Sequence, residues 1–412
     1  MAAARPRKEL MDLQSPERQR KNLRLLVWIL ASVSFSPLLG DILSTGLIVL
    51  VVLLLWRYAA IKSLRADVAV MVLLFLFFIG SLYDAFNVSH IGDFSPLNIY
   101  FPACFFAGYL VARSMRLSEY LTAVEPFIFV TACLSLLGML VISFAPALVW
   151  YLPEYSYYET THRTAVVFNV LMGPGGPIPR NTGIASEPGA YQFLLNLALY
   201  AHIRYSNRFN MYRFAVYAAA IVLTQSTTGL LILVALTVYA GFRSKVALLI
   251  IPASIIAGRD FVAQEISYQI QHKWIGSSSF EGRFSAMQQT IDLAQGRFLG
   301  LGNSGYAENL GNFDPSWDSY GQILIRYGYP MLIAVIVLVA ILTLRAPLLG
   351  GIVIATFFAQ GIWFACFVTP LYFLVMNQER EHSKDHEREV SSTKRSGEHA
   401  ATTPARSRTA IA

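Results

Sequence analysis

Charge is what this chain has least of. Only 14% of its 412 residues are Asp, Glu, Lys or Arg, while 55% are hydrophobic and the mean hydropathy is +0.50. Soluble domains carry roughly 25% charged residues. A charge at a bilayer centre costs about 2.5–3.5 kcal/mol on insertion scales. The deficit therefore points to a polytopic membrane protein, and the net charge of +7 is not read as a nucleic-acid surface. Cysteine is scarce: Cys104, Cys133 and Cys366 lie inside apolar runs, lack metal-site spacing and read as packing residues. Histidine is scarce too. His382, His386 and His399 fall in the polar tail, His202 at the end of an apolar run, and His90, His162 and His272 in loops, with no pair at metal spacing. No Ser/His/Asp arrangement and no nucleotide phosphate loop is present, which argues against an ATP-driven pump. A cleavable signal peptide is not expected either, because the basic N-terminal stretch is long and polar and no small-residue cleavage pattern follows it.

What is abundant is the long apolar run. A helical span needs about 17–25 such residues. Candidate spans lie near 24–40, 42–57, 67–86, 97–112, 121–150, 187–203, 211–225, 227–242, 244–258, 319–344, 347–361 and 363–377. This predicts an all-α polytopic protein with about twelve spans, or eleven if 347–376 is one helix. With a cytoplasmic N-terminus, Arg18, Arg20, Lys21, Arg24, Arg57, Lys62, Arg65, Arg113, Arg116, Arg204, Arg208, Arg213, Arg243, Lys245 and Arg345 all fall on the inner side. Residues 214–242 carry no charge and read as one long helix or a hairpin. The charge rule favours hairpins both there and at 347–376.

The chain then divides into a basic cytoplasmic stretch, 1–23, a membrane domain, 24–377, and a disordered cytoplasmic tail, 378–412, with little apolar content. Two outer loops, about 151–186 and 259–318, are long enough to carry function. Their Tyr, Trp and Gly content predicts ordered, partly helical structure. Phe284, Met287, Ile291 and Ala294 recur at helical spacing, so 280–295 reads as an amphipathic helix lying against the membrane domain.

Four stretches could carry chemistry. In RNTGIASEPGAYQ, Ser186-Glu187-Pro188 reads as a helix start with a capping hydroxyl. A helix N-terminus suits an anion, Arg180 adds a permanent cation, and Gly183 and Gly189 let backbone approach a ligand. Glu187 can take a proton. The plain alternative is a helix cap with Arg180 and Glu187 paired to each other. In EGRFSAMQQTIDLAQGRFLGLGNSG, Arg283 opens the amphipathic helix, Arg297 reads as an interfacial anchor, and Gly300, Gly302 and Gly305 form a turn with no dinucleotide context. In WDSYGQILIRYGYPM, Asp318 stands at the mouth of an apolar run and Arg326 inside it, a functional position unless the arginine snorkels outward. The fourth, QSTTG at 225–229, is a polar hairpin tip.

Taken in order, these stretches resemble the O-antigen polymerase and O-antigen ligase superfamily of bacterial inner membranes, especially exopolysaccharide polymerases of the Wzy type. Arg180-Asn181-Thr182-Gly183 with Glu187-Pro188 is similar to the family's R-x-x-G-x-x-x-E-P stretch. Gln225–Gly229 resembles its outer-tip S-R-G, with Thr227 where arginine is common. Gly282-Arg283 with Leu299-Gly300-Leu301-Gly302 resembles its G-R … P-L-G-x-G segment, with Phe298 in place of proline. Asp318-Ser319-Tyr320 with Tyr327-Gly328 resembles its last segment, with Asp318 where ligases have histidine.

The resemblance covers about 180–345 and implies a GT-C-like, metal-independent glycosyltransferase that uses no cofactor. Its donor would be an undecaprenyl-pyrophosphate-linked glycan at the outer face of the inner membrane. Its implied partners are the bilayer and the pathway's flippase and chain-length regulator, and no nucleic acid. Arg180 and Arg283 then meet the pyrophosphate, with Arg326 and Gly183 in the substrate site. Glu187 is the first choice for acceptor binding or base and Asp318 the second. Tyr157, Tyr158 and Trp317 are candidates to stack on sugar rings. Three other readings stay open: a ligase moving finished glycan to an acceptor, a flippase or secondary transporter, and a non-catalytic scaffold. Charges clustered at the outer face and the absence of an internal repeat favour surface chemistry over transport.

Overall fold

The computed structural model describes residues 16–35, 41–58, 68–87, 95–157, 160–164, 169–171, 180–206, 209–243, 278–309 and 318–376. The described chain is mostly helical. Its helices are α1 (Pro16–Phe35), α2 (Asp41–Tyr58), α3 (Val68–Asn87), α4 (Leu97–Ser114), α5 (Leu117–Phe144), α6 (Pro188–Tyr205), α7 (Met211–Leu223) and α8 (Thr227–Arg243). They continue with α9 (Ser278–Ala294), α10 (Gly302–Asn309), α11 (Ser319–Arg345) and α12 (Pro347–Ala359), and a final helical segment covers 369–376. The expected span at 244–258 and the tail at 378–412 lie outside the described residues.

The apolar runs became helices close to where they were expected. Two of these, α5 and α11, are long and apolar enough to cross a membrane by length and composition. Helix α1 starts earlier than its apolar run, with Pro16 at its first position and Glu17 and Lys21 paired at i, i+4 on its exposed first turns. Residues 214–242 form the hairpin that the charge rule favours, broken at Thr224-Gln225-Ser226, where Gln225 takes φ 53. Residues 347–376 also double back. The Arg345 guanidinium, beside the start of α12, donates to the Val375 carbonyl at 3.1 Å and that of Met376 at 3.2 Å. A continuous helix would have carried those carbonyls about 40 Å away.

Helix α6 runs through the middle of the bundle, with every residue from Pro188 to Ile203 buried. The peripheral helices are apolar on the outward face as well. Val68, Met71, Phe75, Phe78, Leu82 and Phe86 form an exposed stripe along α3. Leu231, Val234, Val238 and Phe242 do the same on α8, and Ile333, Val337 and Leu344 on α11. A water-facing helix would place polar residues there.

The first outer loop differs from expectation. Its described residues form, in place of helix, an antiparallel meander in the order β1 (Glu154–Tyr157), β2 (Thr160–Thr164), β3 (Asn169–Leu171) and β4 (Arg180–Gly183). Thr and Tyr make up five of the nine residues of β1 and β2, and such side chains suit a pleated, half-buried surface. A bulge at Asn169/Val170 shifts the β3–β4 register. The second loop, where described, holds α9 and α10 joined by a non-helical stretch at 295–301.

Helix α11 is interrupted at Gly328 (φ 71, ψ −168). Pro330 cannot donate to the Arg326 carbonyl, so the hydrogen-bond ladder is already weakened there. Residues 298–301 insert into the gap: Leu301 N–H donates to Ile325 O at 2.7 Å, and Tyr329 N–H donates to Phe298 O at 3.2 Å. A Cβ on Gly328 would overlap the Phe298 carbonyl, and one on Gly300 would lie 2.7 Å from Gly328 N. Gly328→Ala is therefore expected to cost about 2 kcal/mol or more from the positive φ alone, seen as a lower melting temperature of the protein in lipid.

Candidate functional site

Three helix N-termini meet at one end of the bundle. Glu187 is the N-cap of α6, with Pro188 in the first turn, and Tyr191 N–H donates to Glu187 O at 3.1 Å. The cap is thus one residue later than the expected Ser186, and the Glu187 side chain does not cap its own helix. Ser226 begins α8 and its Oγ accepts from Gly229 N–H at 3.3 Å. Asp318 begins α11 and its Oδ1 accepts from Gly321 N–H at 2.6 Å.

Close approaches bring the three together. A Cβ on Gly229 would lie 2.9 Å from the Gln192 side chain of α6. One on Gly189 would overlap the Gln360 side chain, at the end of α12. The Gln360 carbonyl in turn accepts from Ser319 Oγ at 2.5 Å, beside Asp318. Gln360 is therefore the bridge between the mouths of α6 and α11, and sequence reasoning missed it.

Arg180 reaches the same end from β4. Its Nε donates to the Thr224 carbonyl at 3.3 Å, at the tip between α7 and α8. Asn181 and Gly183 fix the turn that leads into α6. Asn181 donates to Ser135 Oγ at 3.1 Å, Tyr191 OH donates to the same oxygen at 3.0 Å, and Gly183 N–H donates to Asn181 Oδ1. Gly183 has φ 53 and packs so close to the Tyr191 ring that a Cβ would overlap it. At this φ a glycine turns the chain without a steric cost. Arg180, Glu187 and Asp318 are all half-buried. Cation, carboxylates and the α6 N-terminus, which the Glu187 side chain does not cap, meet at one mouth and form a place for an anion next to groups able to accept a proton.

The other expected residues are placed apart from this mouth or lie outside description. Arg283 is on α9, which packs along α11, and its side chain lies outside the described residues, as do Tyr158 and Trp317. Arg326 is 6% exposed, stacks over the Tyr306 ring at 3.9 Å and donates through Nη1 to Asn303 Oδ1 at 3.0 Å. Among the described residues no three His, Cys, Asp or Glu side chains gather as metal ligands would.

A second charged cluster marks the opposite end of α6. Buried Glu125 of α5 accepts from Arg213 Nη1 at 2.6 and 2.8 Å and from Tyr217 OH at 3.0 Å. His202 Nδ1 lies 3.8 Å from Glu125 Oε1 and 3.0 Å from Ser206 Oγ. Both contacts fall on one ring nitrogen, so serine, histidine and glutamate do not form a nucleophile relay, which needs both. The Nε2 atom faces Asn210 N–H at 3.2 Å. Asn210 caps α7, so the cluster holds the α6–α7 turn. Glu125→Ala is expected to lower stability by about 2 kcal/mol, by leaving Arg213 without its carboxylate acceptor, while Tyr217 OH keeps its bond to the Glu125 carbonyl at 3.0 Å. Activity per folded molecule should be unchanged, because this end is an α6 length, about 27 Å, from Glu187.

No protein-family model matches this sequence, and no curated protein matches it.

Proposed function

We propose that this protein is a polytopic, GT-C-like glycosyltransferase of a bacterial inner membrane. It joins oligosaccharide repeats carried on undecaprenyl pyrophosphate into a longer glycan at the outer face. The observation that carries the reading is the meeting of three helix N-termini with Arg180, Glu187 and Asp318 at one end of a bundle whose outward faces are apolar. Arg113, Arg204, Arg213 and Arg345 lie at the other end, which suits a cytoplasmic location for both termini.

The chemistry follows from the groups present. The bond between sugar C1 and the pyrophosphate oxygen breaks as the acceptor hydroxyl oxygen bonds C1. The hydroxyl proton passes to the Glu187 carboxylate. Undecaprenyl pyrophosphate leaves as an anion, its charge met by Arg180, by Arg283 and by the N–H groups of the α6 mouth. We take Glu187, whose side chain does not cap its own helix, as the base, and Asp318, whose Oδ1 caps α11, as the second candidate. Glycan from the repeat-flipping step arrives at this face, and a chain-length regulator would act on the product.

The test is the glycan profile of cells lacking the protein, resolved by size and mass. Lipid-linked single repeats without long polymer support the reading. Long lipid-linked polymer that never reaches its acceptor would make the protein a ligase, and an unchanged profile would overturn both.

A further inference from the structure

Arg326 has no carboxylate within 4 Å among the described residues, yet it is buried. Its compensation is two asparagines away. Arg326 Nη1 donates to Asn303 Oδ1 at 3.0 Å, Asn303 Nδ2 donates to Asn98 Oδ1 at 2.8 Å, and Asn98 Nδ2 donates to Asp84 Oδ2 at 2.5 Å. Every donor points the same way, from cation to anion, so each bond polarises the next. The chain crosses four elements, α11, α10, α4 and α3. At its far end Asp84, 1% exposed, also accepts from Ser304 N–H at 3.0 Å and Ser304 Oγ at 2.9 Å. It thereby caps the first turn of α10 from another helix, and Gly302 leaves it room, since a Cβ there would overlap Asp84. Both carboxylate oxygens accept. An amide in that place would turn its own N–H toward a donor.

From this geometry we infer that Asp84 and Arg326 form one charge-coupled latch that positions residues 297–309, and with them α9 and Arg283, on the bundle. Segment 297–301 is already threaded into the break in α11. Helix α9 rests on α11 through buried Ala286, Thr290 and Ala294. The latch fixes the far side of that segment. Asp84 and Arg326 are then positioning residues, and Arg326 belongs to the wall rather than to the substrate. The consequence for elongation rests on the proposed function, but the latch itself does not.

The experiment is amide hydrogen exchange on the full chain in lipid nanodiscs, followed by elongation assays on the same preparations. Asp84→Asn and Arg326→Gln are each expected to speed exchange in 300–305 and in 285–294 by about tenfold, the equivalent of one charged hydrogen bond. Exchange in α6 should stay at the wild-type rate. The double variant should exchange no faster than the worse single. Unchanged exchange in the singles, or multiplied effects of about a hundredfold in the double, would overturn the coupling. Ser304→Ala removes one donor only and serves if Asp84→Asn fails to fold, with about threefold faster exchange expected. In elongation, Asp84→Asn should reduce kcat with little change in KM, and add nothing in an Arg283→Ala background. Full elongation by Asp84→Asn alongside raised local exchange would overturn the positioning role. Faster exchange in the variants as expected, with wild-type protein that never elongates, would leave the latch standing and sink the proposed function.

Discussion

Arg180→Ala should reduce glycan elongation by about 10²–10³-fold with the protein still at normal abundance in the membrane. That is the usual cost of deleting one preorganised group that meets charge developing in a transition state. Abundance is spared because Arg180 is half-buried on a short edge strand, and its bond to the Thr224 carbonyl joins two loops rather than two core helices. Arg180→Lys keeps the charge but loses the planar fork, so an intermediate loss of about tenfold is expected. The check is polymer length per molecule of protein in isolated membranes. Near-normal lengths in Arg180→Ala would remove the anion site from the account.

Glu187→Gln should be comparably damaging, at about 10²–10⁴-fold, the range for deleting a general base. Asp318→Asn should be nearly silent, because asparagine caps a helix about as well as aspartate, and the Oδ1 bond to Gly321 N–H survives the change. Asp318→Ala loses the cap and should cost about 1 kcal/mol of stability without a separate effect on rate. Elongation rates of the three variants, normalised to folded protein, decide between the two carboxylates. A larger loss in Asp318→Asn than in Glu187→Gln would reverse their roles.

The contrast between these carboxylates was not visible in the sequence, where each stood before an apolar run beside a serine. Apolar periodicity located the helices because it reports burial along one element. It could not report which helix mouths meet. Gln360 joins α6 to α11 through contacts spanning 41 residues to Ser319 and a still longer separation to Gly189. The sheet in the first outer loop was missed for a related reason. Its strands are three to five residues long, too short for a period of two to stand out from loop composition.

Two buried carboxylates were overlooked although a signal existed. Asp84 and Glu125 both sit inside or at the edge of long apolar runs, the same circumstance that drew attention to Arg326. Applied evenly, that rule would have marked all three. It would not have paired Asp84 with Arg326, because two asparagines lie between them in space. The glycines were legible as punctuation but not as mechanism. Gly183 turns the chain under Tyr191, whereas Gly300 and Gly328 let a loop enter a broken helix, and only tertiary contacts distinguish the two uses.

The most direct measurement is elongation by the purified full-length protein in lipid vesicles. The donor would be lipid-linked oligosaccharide extracted from cells that lack the protein. The account predicts a ladder of multiples of the repeat, with one undecaprenyl pyrophosphate released for each glycosidic bond formed, and loss of both in Arg180→Ala. Intact donor after prolonged incubation with folded wild-type protein, or an equal ladder from Arg180→Ala, would contradict it.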